Sequence, residues 1–171
     1  MSHSFYLGIA ATILASGMAL LPTAGGPTDP VMGAWRLNSR ESALPWPKLD
    51  AILRRSFEPA GAGSIRISEE RVTSDAELLR VEYVVAYDGA EYPIFFVKGD
   101  RRPLIQSRTT VSIRRLDQYT VRGVFRDDGR KTSEFTREVS RDGLKLYVRI
   151  DWIGTNGTGA HGLLVYDRLI T

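Results

Sequence analysis

The sequence predicts an all-β fold: a single closed up-and-down antiparallel barrel of about eight to ten strands. Three observations carry that expectation. Apolar and polar residues alternate at period two through most of the chain after residue 30, the pattern of strands with one face in a core and one in water. Asp-Gly or Asn-Gly pairs at Asp88-Gly89, Asp128-Gly129, Asp142-Gly143 and Asn156-Gly157 punctuate the alternation, and glycine accepts the positive φ of a tight hairpin. Finally, Gly33-Ala34-Trp35-Arg36-Leu37 opens the series and Val165-Tyr166-Asp167-Arg168 closes it, so that first and last strands can meet. Closure removes the open sheet edges that invite aggregation.

Taken in order, residues 1–24 read as a secretory signal peptide and 25–171 as the barrel domain. Residues 5–21 are apolar and uncharged, and Pro22-Thr23-Ala24-Gly25-Gly26-Pro27 supplies a helix breaker and small residues at the cut. The front end departs from the usual pattern, with His3 in place of Lys or Arg, and an uncleaved membrane anchor is the rival reading. Cleavage implies export, to the periplasm or beyond, with no stable membrane insertion afterwards.

Strand patterns follow at Val31-Gly33-Trp35-Leu37, Ile65-Ile67, Leu79-Val81-Tyr83-Val85-Tyr87 and Val111-Ile113. Others run through Tyr119-Val121-Gly123-Phe125, Phe135-Val139, Leu144-Leu146-Val148-Ile150-Trp152 and Leu164-Tyr166. Two segments fit less simply. In residues 47–55, Leu49, Ile52 and Leu53 share a helical face behind Pro45 and Pro47, which predicts a short helix or turn leading to a strand near Phe57. Leu53, Arg55 and Phe57 also alternate as a strand would. Residues 91–97 are apolar on both faces, and Pro93 places them at an edge, a bulge or a strand start.

Composition excludes several functions. The chain has 171 residues and no cysteine, which rules out disulfides, thiolate metal sites, thiol nucleophiles and a lipid-modified cysteine. The 23 Lys and Arg are set against 20 Asp and Glu, and the doublets Arg54-Arg55, Arg101-Arg102 and Arg114-Arg115 are separated by acids. Without a cationic run, this predicts a solvated surface and no nucleic-acid partner. Only His3 and His161 are available, and no Gly-x-Ser-x-Gly elbow is present, so neither a serine triad nor a zinc site is assembled. Asp127-Asp128-Gly129 reads as a turn before it reads as a calcium loop. No catalytic residue, metal ligand or cofactor is assigned, and no oligomeric state.

The opening Gly33-Ala34-Trp35-Arg36-Leu37-Asn38 resembles the Gly-x-Trp strand of lipocalins and intracellular fatty-acid-binding proteins, the calycin superfamily. Tyr87-Asp88-Gly89 with Tyr92-Pro93, residues 137–140, Asp142-Gly143 and Val165-Tyr166-Asp167-Arg168 are similar to exported bacterial lipocalin-like domains of unassigned function. The resemblance covers about residues 30–170. It implies that Trp35 packs beneath Arg168 as a structural plug, a cation over an aromatic face worth about 0.5–2 kcal/mol. One departure matters. The arginine that fatty-acid-binding proteins place two residues before their last-strand tyrosine is Leu164 here, while Tyr166 is retained. The usual fatty-acid clamp is therefore incomplete.

The inward rows also carry polar residues. Arg137 lies between Phe135 and Val139, Arg55 between Leu53 and Phe57, and Glu69 follows Ile65 and Ile67; Tyr83, Tyr87, Thr109, Tyr119 and Tyr166 join the same faces. An arginine inside a barrel keeps its charge and must find an anion. Either Arg137 pairs with Glu69 or reaches the strand's wet end, or Arg137, joined by Arg55, meets a ligand carboxylate or phosphate. Arg137, Arg55, Tyr83, Tyr87 and Tyr166 are thus the candidate ligand contacts. The leading expectation is an exported, non-catalytic barrel holding a small hydrophobic or amphipathic ligand. Two alternatives stand beside it. One is an isomerase- or cyclase-type enzyme using Arg137, Glu69 or Asp151. The other is an envelope interaction module with a filled barrel and an exposed aromatic patch at Tyr92, Phe95, Phe96 or Trp46.

Overall fold

A computed structural model describes residues 29–44, 52–72, 78–98, 105–154 and 159–170. Within these, ten strands form a closed antiparallel barrel and no helix occurs. They are β1 (Gly33–Leu37), β2 (Ile52–Pro59), β3 (Ser64–Val72), β4 (Leu78–Ala86), β5 (Asp88–Lys98), β6 (Ile105–Arg115), β7 (Thr120–Asp127), β8 (Arg130–Val139), β9 (Lys145–Ile153) and β10 (Gly159–Arg168). Each strand pairs with its neighbours in sequence, and β1 closes the ring by pairing with both β10 and β2. The expected signal segment lies outside the described residues. Among those described, no helix is long and apolar enough to cross a membrane.

The turn chemistry matches the connections. At the β7–β8 hairpin, Asp128 and Gly129 have φ of 47° and 76°, the two left-handed residues of a type I′ turn. The Asp127-Asp128-Gly129 acids therefore serve a hairpin, and Asp128 pairs with Arg108 at 3.0 Å. Pro93 sits where the β5–β6 register slips between Pro93 and Phe95, a place where a missing N–H costs no ladder bond.

One expectation is corrected. Residues 52–55 are strand, with Arg54 and Arg55 paired to β1 on one side and β3 on the other. A helix there would strip hydrogen-bond partners from both neighbours and open the barrel. The closure requirement outweighs the local helical face of Leu49, Ile52 and Leu53; residues 45–51 lie outside the described residues.

The inward rows meet as one core, with Trp35, Ile67, Val85, Val111, Leu146 and Tyr166 fully buried. Gly123 has a packing role in it. Its cross-strand partner is Phe135, whose ring lies over it so closely that a Cβ would fall 2.2 Å from the ring's Cζ. Gly123→Ala should therefore destabilise the protein by about 1–3 kcal/mol, read as a lower urea midpoint. Adding Phe135→Leu should return part of that loss. A Gly123→Ala protein as stable as its parent would contradict this packing.

Candidate functional site

The two ends of the barrel are built differently. At the end carrying the β2–β3, β4–β5, β6–β7 and β8–β9 turns, residues 29–32 fold across the opening. Trp35 Nε1 donates to the Val31 carbonyl at 2.8 Å. The Arg168 guanidinium lies over the Trp35 ring, 4.1 Å from its centroid, and donates to the carbonyls of Pro30, Met32 and Gly143. Trp35 and Arg168 are direct partners in the β1–β10 register, which is why their side chains stack. Gly33, at φ 108°, leaves room for that guanidinium, 3.2 Å from where a Cβ would stand. This end is plugged.

Toward the opposite end the barrel holds a cavity of about 280 Å³, just below the usual range for small-molecule sites. Its walls are apolar, with Ile94 and Phe96 from β5, Phe125 from β7, Ile150 and Trp152 from β9 and Leu164 from β10. Polar groups enter from two sides. Thr109, Thr132 and Ser133 come from β6 and β8, and Arg55, Arg71 and Tyr83 from β2, β3 and β4.

A buried carboxylate organises the second group. Glu69, 1% exposed, takes Arg55 Nη2 at 3.3 Å and Tyr83 Oη at 3.1 Å on one oxygen and Arg71 Nη2 at 2.7 Å on the other. The register explains the arrangement: Arg55 is the cross-strand partner of Glu69, and Arg71 follows two residues later on the same face. Burial alone would push the Glu69 carboxyl up. The Arg55 and Arg71 charges and the bonds from Arg71 and Tyr83 outweigh it and hold the group at about 2, against an ordinary 4.5. Glu69 is therefore an ionised counter-ion. The Tyr83 hydroxyl is pushed well up by burial and by that carboxylate, so it remains a donor.

Arg55 and Arg71 are not saturated by Glu69. The Nε of each is buried and lacks a hydrogen bond of normal geometry, and Arg55 lies against the buried Tyr166 hydroxyl. Arg55 also stands 5.2 Å from the Tyr166 ring centroid.

The expected Arg137–Glu69 pair does not form, because the strand neighbour Arg55 occupies that carboxylate. Arg137 is 3% exposed, lies over the Phe57 ring at 4.6 Å and donates to Tyr87 Oη at 3.4 Å. No carboxylate stands within ion-pair distance of it among the described residues. Burial lowers its pKa, and the Arg55 charge adds to that. The Tyr87 hydroxyl donates a hydrogen bond to Asp29 Oδ2 at 2.6 Å, and Asp29 is already bound to Arg115. Across the two clusters, four guanidinium groups share two carboxylates.

Of the sequence-derived candidates, Arg55 and Tyr83 line the cavity, while Arg137, Tyr87 and Tyr166 do not. Arg137 lies four residues along β8 from Ser133, which does. Arg71 was missed, although it continues the Ile65-Ile67-Glu69 row by one more step. Asp29 precedes the first strand, and no periodicity could mark it. The catalytic suspects are separated. Glu69 is clamped inside, whereas Asp151 is on the outer face beside His161, 2.6 Å away with both side chains exposed. Tyr92 is bound to Asp88, Phe96 faces the cavity, and Trp46 lies outside the described residues. No protein-family model matches the chain, and no curated protein matches it.

The Glu69 clamp fixes a pH dependence. A carboxyl that titrates near 4.5 when unfolded and near 2 when folded contributes its full stability above the first value and loses it as pH falls toward the second. Glu69→Gln should flatten this acid limb in urea unfolding. It should also cost about 3–5 kcal/mol at neutral pH, because Arg55 is left without its carboxylate. An identical acid limb in both proteins would contradict the clamp.

Proposed function

We propose that this chain is an exported, lipocalin-like barrel that binds a small amphipathic molecule in its interior and carries out no chemistry of its own. The observation that carries the reading is the cavity of about 280 Å³, with aromatic and aliphatic walls and the Arg55, Arg71 and Tyr83 side chains at one side. A filled barrel would leave no such space. Few convergent polar groups on an apolar wall are the ordinary make-up of a small-molecule site. Binding is favoured over catalysis because the interior carboxylate is held ionised between two arginines, which deprives it of a proton to give, and because Asp151 and His161 face away from the cavity. Export rests on the apolar N-terminal segment, and the family reading on the Gly33-to-Arg168 motifs.

The test is native mass spectrometry of the processed protein purified gently from its own host, followed by extraction of whatever it carries. A stoichiometric small-molecule adduct is expected, and Ser133→Phe, which puts a ring into the cavity, should abolish it. A clean apo mass that persists after exposure to lipid, fatty-acid and isoprenoid pools would overturn the reading.

A further inference from the structure

The strap across the plugged end is fastened differently from every strand of the barrel. Residues 29–32 precede β1 and belong to no strand, and their one backbone–backbone hydrogen bond, from Met32 N–H to the Asp29 carbonyl, lies within the strap itself. A strand is fixed by a ladder of backbone bonds. Among the described residues, this strap is tied to the barrel only through side chains: Trp35 to the Val31 carbonyl, Arg168 to those of Pro30 and Met32, and Tyr87 and Arg115 to the Asp29 carboxylate. On one flank it borders a cleft of about 330 Å³ lined by Met32, Ile65 and the Gly61-Ala62-Gly63 turn, so that side is not packed. Asp29 also reaches inward. Tyr87 Oη donates to it and accepts from Arg137, so two hydrogen bonds connect the buried guanidinium to the carboxylate. A buried arginine keeps its charge and depends on whatever negative charge stands near. Arg137 has no carboxylate at ion-pair distance among the described residues; Tyr83 and Tyr87 favour its charge, Arg55 opposes it, and Asp29 is the carboxylate that acts on it.

We infer that residues 29–32 are a releasable latch: Asp29 is the distant counter-charge of Arg137, and undocking the strap opens the plugged end to water as far as that guanidinium while the ten-strand ladder stays closed. Gly33 is the hinge. It has φ of 108° and is the first residue in register with β2, so the strap can swing from it without breaking a ladder bond. The barrel thus has a standing cavity at one end and a latched opening at the other. The coupling runs both ways. Whatever pulls the strap away exposes Arg137, and whatever hydrates Arg137 loosens the strap.

The test combines native-state hydrogen exchange with arginine labelling. In the wild-type protein the Trp35 indole N–H, which is bonded to the strap at Val31, should have a protection factor at least about tenfold below those of the β6 and β9 backbone amides, because the latch opens more often than the barrel unfolds. Asp29→Asn should lower that protection about tenfold further. It should also speed the modification of Arg137 by 2,3-butanedione about tenfold, measured by peptide mass spectrometry against exposed Arg108. A Trp35 indole proton as protected as the β6 and β9 amides would overturn the latch, since it would exchange only through global unfolding. So would an Arg137 labelled no faster in Asp29→Asn than in the wild type. Faster labelling accompanied by an equal loss of β6 and β9 protection would overturn it as well, because the barrel and not the strap would then be opening. The wild-type exchange measurement needs no variant to fold.

Discussion

A carboxylate removed from water costs several kcal/mol unless charge and hydrogen bonds replace its hydration. In this barrel that constraint falls on Glu69, and much of the interior follows from how it is met. Arg55 from β2, Arg71 from β3 and Tyr83 from β4 converge on its two oxygens. The clamp therefore ties three adjacent strands together. It also explains why Arg137 is left to an aromatic ring and a tyrosine hydroxyl.

Arginine is used in three ways along one barrel axis. At the plugged end, Arg168 covers Trp35 and closes backbone carbonyls of the preceding segment and the β8–β9 turn, which is structural work. Arg115 anchors Asp29, and so the same segment, from another side. Midway, Arg137 is a buried charge held by the Phe57 ring and one long bond to Tyr87 Oη. At the cavity, Arg55 and Arg71 share the Glu69 carboxylate.

The sequence made the barrel legible because each strand is half buried, and period two then writes the inward face directly into the order of residues. The Trp35–Arg168 stack was legible for a related reason: both lie in short, recognisable motifs at the ends of the sheet. Partner choice was not legible. Alternation places Arg137, Arg55 and Glu69 inside, but the register between strands decides that Arg55 faces Glu69, and register is a relation between segments far apart in sequence. The start of β2 was obscured because residues 49–53 satisfy a helical period as well, and only barrel closure separates the two. Arg71 was readable in principle, at the next inward step beyond Glu69.

The most direct test of the account is the carbon-13 resonance of the Glu69 carboxyl, followed through an acid titration of the folded protein. It should hold its ionised position through pH 4.5 and begin to move only as pH falls toward 2. A midpoint near 4.5 would contradict the account, because a carboxylate clamped by Arg55, Arg71 and Tyr83 does not titrate as a free one.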